Sequence, residues 1–267
     1  GVTRMAYVSL HIDSEFLGAN TNITVILPEK KGEQTPEAFY GSGKKYKVLW
    51  LFHGGHGDCT DWIRKTKIEL YACEKDLVVV CPSAQSSFYQ NWPTFGPGYY
   101  MKDFFFHELM PLIYGWFPVS DRKEDNYIAG LSMGGVGTLT FLLEEPERFS
   151  AAAVLSGTPF DLRETEGGTP NMVKVYRNLA KVYGGREEML ASGANIWDAF
   201  ASGEPKKMPR LYFSCGRLDS GYANYLNYIA YLEEKGFSFV HDESTDNGHE
   251  WREWDYQIER AIRFFLE

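Results

Sequence analysis

Short apolar runs alternate with longer amphipathic stretches along most of the chain. Residues 7–13 alternate apolar and polar side chains, and residues 22–27 form an apolar run that ends at Pro28, which predicts two strands joined by a turn. Further apolar runs predict strands at 47–52, 77–81, 125–131, 151–156, 211–216 and 237–241. Amphipathic stretches predict helices at 61–75, 99–116, 135–145, 222–235 and 250–265.

The order of these elements indicates the fold class. Strands and helices alternate, which is typical of an α/β domain whose mostly parallel sheet carries helices on both faces. Pro111 should kink or end the helix predicted at 99–116, and residues 29–46 are predicted to form an exposed loop. Residues 158–205 have mixed helical signals and form a long, cap-like insertion. We expect one domain over 1–267.

Composition narrows the range of partners. The formal net charge is −9, which argues against nucleic acid or an anionic membrane as a partner. No apolar stretch is long enough to span a membrane. The N-terminal residues lack the apolar core of a signal peptide, which favours a cytoplasmic location, although a removed signal peptide would leave secretion open. The oligomeric state is open, a homo-oligomer included.

The four cysteines do not indicate a metal site or a disulfide framework. Cys81 and Cys215 lie in apolar, strand-like runs, where a buried free thiol is the usual interpretation. Cys59 and Cys73 are separated by a predicted helix, so a disulfide between them is allowed but not indicated.

The segment G-L-S-M-G-G at 130–135 carries the candidate nucleophile, Ser132. With 26 glycines in the chain, G-x-S-x-G alone could be an incidental serine in a glycine-rich phosphate or helix-packing turn. Here it directly follows a predicted strand and precedes a predicted helix, as a nucleophile elbow requires. Gly130 and Gly134 would remove side chains that clash across such a turn.

A serine nucleophile needs a histidine base and a carboxylate that orients the histidine. His249 lies between the last predicted strand and the last predicted helix, whereas His241 ends an apolar strand and is interpreted as structural. Asp219 is favoured as the acid because it follows the end of a buried strand. Three acidic residues nearer to His249 in sequence are the alternatives: Asp242, Glu243 and Asp246.

Ester hydrolysis by a serine also requires two hydrogen-bond donors for a developing oxyanion. The amide of Met133, directly after the nucleophile, is one candidate, and the amide of Gly55 in the H-G-G loop at 53–55 is the other. A simple flexible turn is the alternative for that loop. His53 and His56 could suggest a metal pair, but no third ligand is evident, so no metal or organic cofactor is predicted.

Several motifs together resemble the esterase D group of α/β-hydrolases, most closely bacterial tributyrin esterases and acetyl esterases. These motifs are H-G-G at 53–55, D-W at 61–62, G-L-S-M-G-G at 130–135, C-G-x-x-D at 215–219 and G-H-E-W at 248–251. The resemblance covers almost the whole chain. It implies the α/β-hydrolase fold, a triad of Ser132, Asp219 and His249, and oxyanion donors at Gly55 and Met133.

The resemblance also implies a range of substrates. Short-chain acyl esters are expected, including acetyl esters of carbohydrates, with feruloyl esters of plant polysaccharide and S-formylglutathione as alternatives. The sequence departs from the group at Gly55, where a larger apolar residue is frequent, so a wider acyl pocket is expected. Aromatic side chains are expected either in the walls of the substrate cleft or in the core, and four are candidates for substrate binding: Trp92, Tyr99, Trp197 and Trp251.

Overall fold

The apolar runs of the sequence form one eight-stranded sheet in the computed structural model, which describes residues 5–164, 170–243 and 245–267. The sheet strands are β1 Met5–Ser14, β2 Ala19–Pro28, β3 Val48–Phe52, β4 Val78–Pro82, β7 Asn126–Leu131, β8 Ala151–Leu155, β9 Arg210–Ser214 and β10 Phe239–Asp242; a separate short hairpin comprises β5 Asn91–Trp92 and β6 Tyr99–Tyr100. Strands follow the order β1-β2-β4-β3-β7-β8-β9-β10. Only the β1–β2 and β2–β4 pairs are antiparallel within this sheet.

Helices cover both faces of the sheet, as the alternation of elements predicts. Their bounds are α1 Pro36–Tyr40, α2 Asp61–Lys65, α3 Ile68–Glu74, α4 Met101–Asp103, α5 Met110–Trp116, α6 Met133–Glu144, α7 Pro170–Val182, α8 Arg186–Ala191, α9 Ile196–Ser202, α10 Tyr222–Glu234 and α11 Trp251–Leu266. Trp50 of β3 points into the core on the side of α6 and α10, whereas its neighbours Leu49 and Leu51 pack on the side of α3 and α11. Because strand side chains alternate between faces, a wholly apolar strand fills both cores.

Two predicted helices differ from those observed. The helix predicted at 61–75 is divided at Thr66, whose extended backbone ends α2 and whose hydroxyl donates to the carbonyl of Trp62 at 2.5 Å. The helix predicted at 99–116 begins at Met101 and widens into a π-helical segment, Phe104–Leu109. Pro111 lacks the N–H that would close the α-helical turn to residue 107, which explains the widened turn before it.

The structure also describes the insertion and the environment of the cysteines. The insertion after β8 contains α7, α8 and α9, while residues 165–169 lie outside the described residues. All four cysteines are buried, and Cys59 and Cys73 form no disulfide with each other. Within the described ranges, no helix is long and apolar enough to cross a membrane.

The parallel strands place several loops at one edge of the sheet. The loops after β3, β7, β8, β9 and β10 all leave from the carboxyl ends of their strands. Such an edge is where open α/β sheets collect ligand-binding and reactive groups. The predicted site residues all follow these strand ends, with Gly55 after β3, Ser132 and Met133 after β7, Asp219 after β9 and His249 after β10.

Candidate active site

Ser132 lies on a strained turn between β7 and α6. Its backbone has φ 51° and ψ −118°, a conformation that is unfavourable for any residue with a Cβ atom. The amide of Ser132 donates to the carbonyl of Leu155 at 2.8 Å, which holds the turn against β8. A Cβ atom at Gly130 would lie 2.2 Å from the carbonyl oxygen of Gly134, so glycine is required there. The predicted elbow geometry is therefore present.

Ser132, His249 and Asp219 form one hydrogen-bonded chain. The Nε2 atom of His249 lies 2.9 Å from Oγ of Ser132, and its Nδ1 atom lies 2.7 Å from a carboxylate oxygen of Asp219. A carboxylate only accepts, so Nδ1 carries the proton and Nε2 is left free to accept the serine proton. The Asp219 side chain is only 3% exposed, whereas that of His249 is 41% exposed. The imidazole thus faces solvent and the carboxylate is buried behind it.

The carboxylate of Asp219 is held in its ionised form. Burial opposes its ionisation, but the hydrogen bonds from His249 and from the Gly221 amide, at 2.8 Å, outweigh this effect and lower its pKa below the usual 3.8. An ionised acceptor fixes the orientation of the imidazole and would stabilise an imidazolium.

The three alternative acids have other partners. Asp242 accepts from Arg260 at 2.6 Å, Glu243 accepts from the hydroxyl of Tyr222 at 2.6 Å, and Asp246 lies 3.7 Å from Arg217. The structure therefore brings Asp219, and none of these three, to the imidazole of His249.

A buried carboxylate that the sequence did not single out holds the loop of His249. Glu253, in the first turn of α11, accepts hydrogen bonds from the side chains of Thr245 and Asn247. The Asn247 carbonyl in turn accepts from the amide of Leu218 at 3.1 Å, which joins this loop to the loop of Asp219. The G-H-E-W motif does not indicate a role for Glu253, because the role of Glu253 depends on contacts with and between two loops.

Trp254 packs against the imidazole and is itself held by Ser156. The ring of Trp254 meets that of His249 edge to face, with centroids 5.0 Å apart, and its Nε1 atom donates to Oγ of Ser156 at 3.2 Å. Ser156 directly follows β8 and has φ 47°, close to the φ of Ser132 after the neighbouring strand β7. These contacts restrict the tilt of the imidazole.

Two backbone amides beside Ser132 are available for an oxyanion. The Met133 amide is in the first turn of α6, where amides have no intrahelical acceptor. Within the described residues, the Gly55 amide also has no acceptor, and both residues line the pocket around Ser132. A Cβ atom at Gly54 would lie 2.6 Å from the side chain of Leu131, whereas one at Gly55 would meet nothing within 4 Å. Gly55 thus leaves open space.

His53 ties the loop of Gly55 to the neighbouring loop. Its Nε2 atom accepts from the Ala84 amide at 2.9 Å, so its Nδ1 atom carries the proton and donates to the Gly54 carbonyl at 2.7 Å. Burial lowers the pKa of His53 and keeps it neutral. The hydroxyl of Tyr89 donates to the His53 carbonyl at 3.1 Å. Both ring nitrogens of His53 are thereby engaged in hydrogen bonds. Among the described residues, no group of three or more metal-ligating side chains is found.

Replacement of His53 by alanine tests this positioning role. We expect kcat for ester hydrolysis to fall by about 10- to 100-fold, less than the loss of about 10²–10³-fold for removing an oxyanion donor, because the Gly55 amide stays but is poorly held. The Michaelis constant should change less than about threefold. Steady-state kinetics would measure both, with His56→Ala, an exposed neighbour, as the matched control. An equal loss in both variants would contradict the role.

The pocket around Ser132 has a volume of about 520 Å³. Its walls come from the strand-end loops and from α6 and α10: Gly55, Phe88, Ser132, Met133, Val136, Ser156, Gly157, Thr158, Phe160, Asp161, Glu164, Cys215, Asp219, Ser220, Gly221, Asn224, Asn227 and His249. The phenylalanine side chains in this lining are Phe88 and Phe160, neither of which was predicted from the sequence to bind substrate.

The four aromatic residues predicted for substrate binding lie elsewhere in the described structure. Trp197 is buried against Tyr228, and Trp251 packs between Trp62 and Trp254. Two others, Trp92 and Tyr99, line a separate pocket beside the loop at 85–87. The structure therefore brings none of the four into the pocket of Ser132 itself.

The chain is similar in sequence to known esterases. A protein family described as putative esterase matches residues 14–265. The acetyl esterase of Caldicellulosiruptor saccharolyticus is 27% identical to this chain over 271 residues, which covers 97% of this chain and 98% of that protein.

Solved structures agree with the sequence matches. The S-formylglutathione hydrolase FrmB of Staphylococcus aureus is 31% identical, with a TM-score of 0.78, and the alignment covers 99% of this chain and 100% of that one. FphF, a fluorophosphonate-binding serine hydrolase from the same species, is 30% identical with a TM-score of 0.77, covering 98% and 99% of the two chains. These similarities confirm the predicted α/β-hydrolase fold.

Proposed function

Because the chain belongs to the putative esterase family and is a carboxylic ester hydrolase, we propose that it is a serine esterase that hydrolyses short-chain acyl esters of neutral alcohols, with acetylated carbohydrates as its preferred class. One observation carries the proposal. Ser132, His249 and Asp219 lie in a single hydrogen-bonded chain, with distances of 2.9 and 2.7 Å, at the carboxyl edge of the sheet.

The first stage forms an acyl-enzyme. The Oγ atom of Ser132 attacks the ester carbonyl carbon while Nε2 of His249 takes the serine proton. The amides of Gly55 and Met133 donate to the oxyanion, and the carboxylate of Asp219 stabilises the imidazolium. When the tetrahedral intermediate collapses, His249 gives its proton to the leaving alcohol.

The second stage releases the acid. A water molecule replaces the alcohol, and Nε2 of His249 takes one of its protons as the water oxygen attacks the acyl carbon. The second tetrahedral intermediate uses the same two amides, and the proton returns to Ser132 as the carboxylic acid leaves. Apart from the substrate and this water molecule, the chain's own residues supply the groups in these steps.

The charges around Ser132 favour a neutral substrate over S-formylglutathione, which the similarity to FrmB raises as a second candidate. Glutathione carries two carboxylates, and a site that binds it benefits from cations. Among the described residues, no lysine or arginine lines the pocket, whereas the carboxylates of Asp161 and Glu164 do. The nearby Arg163 is already paired with Asp161 at 2.8 Å and with Asp198 at 3.1 Å. Repulsion would weaken binding of an anionic thioester.

A wall beside the catalytic pocket limits the length of the acyl group. Phe88, Val136 and Phe160 line both this pocket and a neighbouring cavity of about 760 Å³ under the insertion. The Phe160 ring is stacked on that of Tyr176, with centroids 5.2 Å apart, which holds it in place. We therefore expect short acyl groups to be preferred on the catalytic side while this wall is intact.

A panel of p-nitrophenyl esters from acetate to octanoate, with and without Phe160→Ala, tests the function and the wall together. We expect wild-type kcat/KM to be highest on acetate. The shorter side chain of the variant joins the two cavities, so kcat/KM on octanoate should rise about tenfold, as burial of two further methylenes predicts.

The controls separate the alternatives. Phe39→Ala, which removes a half-buried ring far from the site, should leave the ratio of octanoate to acetate rates unchanged. If Phe160→Ala also leaves it unchanged, the acyl group does not face this wall. S-formylglutathione and methyl ferulate belong in the same panel, and a tenfold preference for either over acetate esters would reassign the substrate.

A further inference from the structure

A second pocket, of about 290 Å³, lies beside the catalytic pocket. Its lining combines aromatic rings with hydroxyl and amide side chains: Gln85, Ser86, Ser87, Trp92, Phe95, Tyr99, Val175 and Asn178. Residues 85–99 belong to the loop after β4 and to the β5–β6 hairpin, whereas Val175 and Asn178 belong to α7 of the insertion. No step of the proposed mechanism uses any of these side chains.

Trp92 and Phe95 are the accessible rings of this pocket, whereas Tyr99 is buried. The Nε1 atom of Trp92 donates to the Ser87 carbonyl at 2.7 Å, which sets the orientation of the indole. Phe95 is 61% exposed, and its ring meets Tyr99 edge to face with centroids 6.2 Å apart. The exposed Phe95 ring and the hydrogen-bonded Trp92 indole offer flat apolar surface, and the indole is already held in one orientation.

The polar side chains offer both donors and acceptors. Within the described part of the chain, the side-chain amide of Gln85 has no hydrogen-bond partner. The Oδ1 atom of Asn178 accepts from Lys181 at 3.3 Å, which leaves its amide protons to donate. The hydroxyl oxygen of Ser86 accepts from the His56 amide at 3.3 Å and keeps its own proton to donate.

The pocket is joined to the catalytic centre by a shared loop. Gly55 lines the catalytic pocket, and the next amide, of His56, is bonded to Ser86 in the aromatic pocket. Phe88 lines the catalytic pocket one residue after Ser87 lines the aromatic one. Gln85 and Phe88 both have left-handed backbones, with φ of 50° and 54°, so this boundary has the strained geometry of a functional loop.

We propose that the aromatic pocket is a saccharide subsite, which binds a pyranose ring of the alcohol portion while its acyl ester lies at Ser132. A pyranose ring presents a flat face of C–H bonds that stacks on an aromatic ring, and a rim of hydroxyls that pairs with amides and hydroxyls. The volume of about 290 Å³ is near the lower end for small-ligand sites, which suits one sugar ring. The inference rests on the proposed esterase function and specifies its alcohol.

Replacement of Phe95 by alanine tests the subsite with little risk to the fold, because the ring is mostly exposed. On acetylated xylotetraose and acetylated cellotetraose, we expect kcat/KM to fall about five- to tenfold, mainly through KM, because one stacking contact is lost. On ethyl acetate, whose alcohol is too small to reach the pocket, the rate should be unchanged. Trp116→Ala, which removes a ring that is 66% exposed elsewhere, is the matched control.

The other outcomes separate failure of the saccharide subsite from failure of the esterase proposal. An unchanged rate of Phe95→Ala on both oligosaccharides, or an equal loss on ethyl acetate, overturns the subsite but leaves the esterase proposal intact. A loss confined to methyl ferulate assigns the pocket to an aromatic acyl group and overturns the saccharide. If wild type hydrolyses no ester, the esterase proposal fails instead. Quenching of tryptophan fluorescence by unacetylated xylotetraose, present in wild type and lost in Trp92→Phe, would then still decide whether the pocket binds sugar.

Discussion

Replacement of Ser132 by alanine is expected to lower kcat on p-nitrophenyl acetate by about 10⁴- to 10⁶-fold. In the proposed mechanism the Oγ atom of Ser132 carries the acyl group, and neither His249 nor the two amides can replace it in that step. The residual rate would come from binding and from the oxyanion donors alone. The imidazole would lose its 2.9 Å contact, but Asp219 would still hold it in place.

The fold should be unaffected by this substitution. The Ser132 side chain makes its hydrogen bond only with His249 among the described residues, and alanine keeps the same Cβ atom on the turn. We therefore expect thermal unfolding within about a degree or two of wild type. Labelling with a fluorophosphonate should modify wild type at Ser132 and leave the variant unmodified, with Ser42→Ala, an exposed serine in a distant loop, as the control. Turnover near the wild-type rate would exclude Ser132 as the nucleophile.

Replacement of Asp219 by asparagine should lower kcat by about 10³- to 10⁴-fold. An amide can donate to Nδ1 of His249, which would move the imidazole proton to Nε2 and leave no acceptor for the proton of Ser132. Asp246→Asn is a demanding control, because Asp246 is nearer to His249 in sequence yet 81% exposed and paired only loosely with Arg217. Its kcat should stay within about twofold of wild type. A larger loss for Asp246→Asn than for Asp219→Asn would assign the acid to Asp246.

The pH dependence of stability gives a second readout for Asp219. Its pKa is lower in the folded state than the ordinary 3.8, so ionisation stabilises the folded chain above that value, and this contribution is lost as the pH falls through the folded-state pKa. The difference in free energy of unfolding between wild type and Asp219→Asn should therefore change in favour of the variant as the pH falls below about pH 4. Urea titrations across this range would measure it.

The elbow could be predicted because its requirements are local. A tight turn between a strand and a helix needs small residues at fixed offsets, and the pattern at 130–135 records that need directly. Asp219 was a harder choice, since three acidic residues lie closer to His249 in sequence. Strand order decided between them, because the carboxyl ends of parallel strands meet at one edge. The structure places Asp219 at that edge in contact with the histidine.

The walls of the site could not be predicted in the same way. A tryptophan in a loop can face the core, the solvent or a pocket, and its neighbours in sequence do not distinguish these environments. Trp197 is buried and donates from its indole to the carbonyl of Pro159, whereas Phe160, the next residue along, lines the pocket of Ser132. The role of Glu253 was also inaccessible, because it depends on the approach of Thr245 and Asn247.

The insertion between β8 and β9 contributes Phe160, Val175 and Asn178, which line the two pockets, but none of the groups that perform the proposed chemistry. Ser132, Asp219 and His249 lie in other loops, before and after it. Exchange of this one segment between relatives would therefore change which esters the enzyme accepts and leave the proposed catalytic residues unchanged. For protein engineering, the pocket-lining positions of this insertion, Phe160, Val175 and Asn178, are natural sites for randomisation, and a library confined to them would sample new substrates while keeping the buried residues of the insertion, such as Phe200, and the proposed catalytic residues.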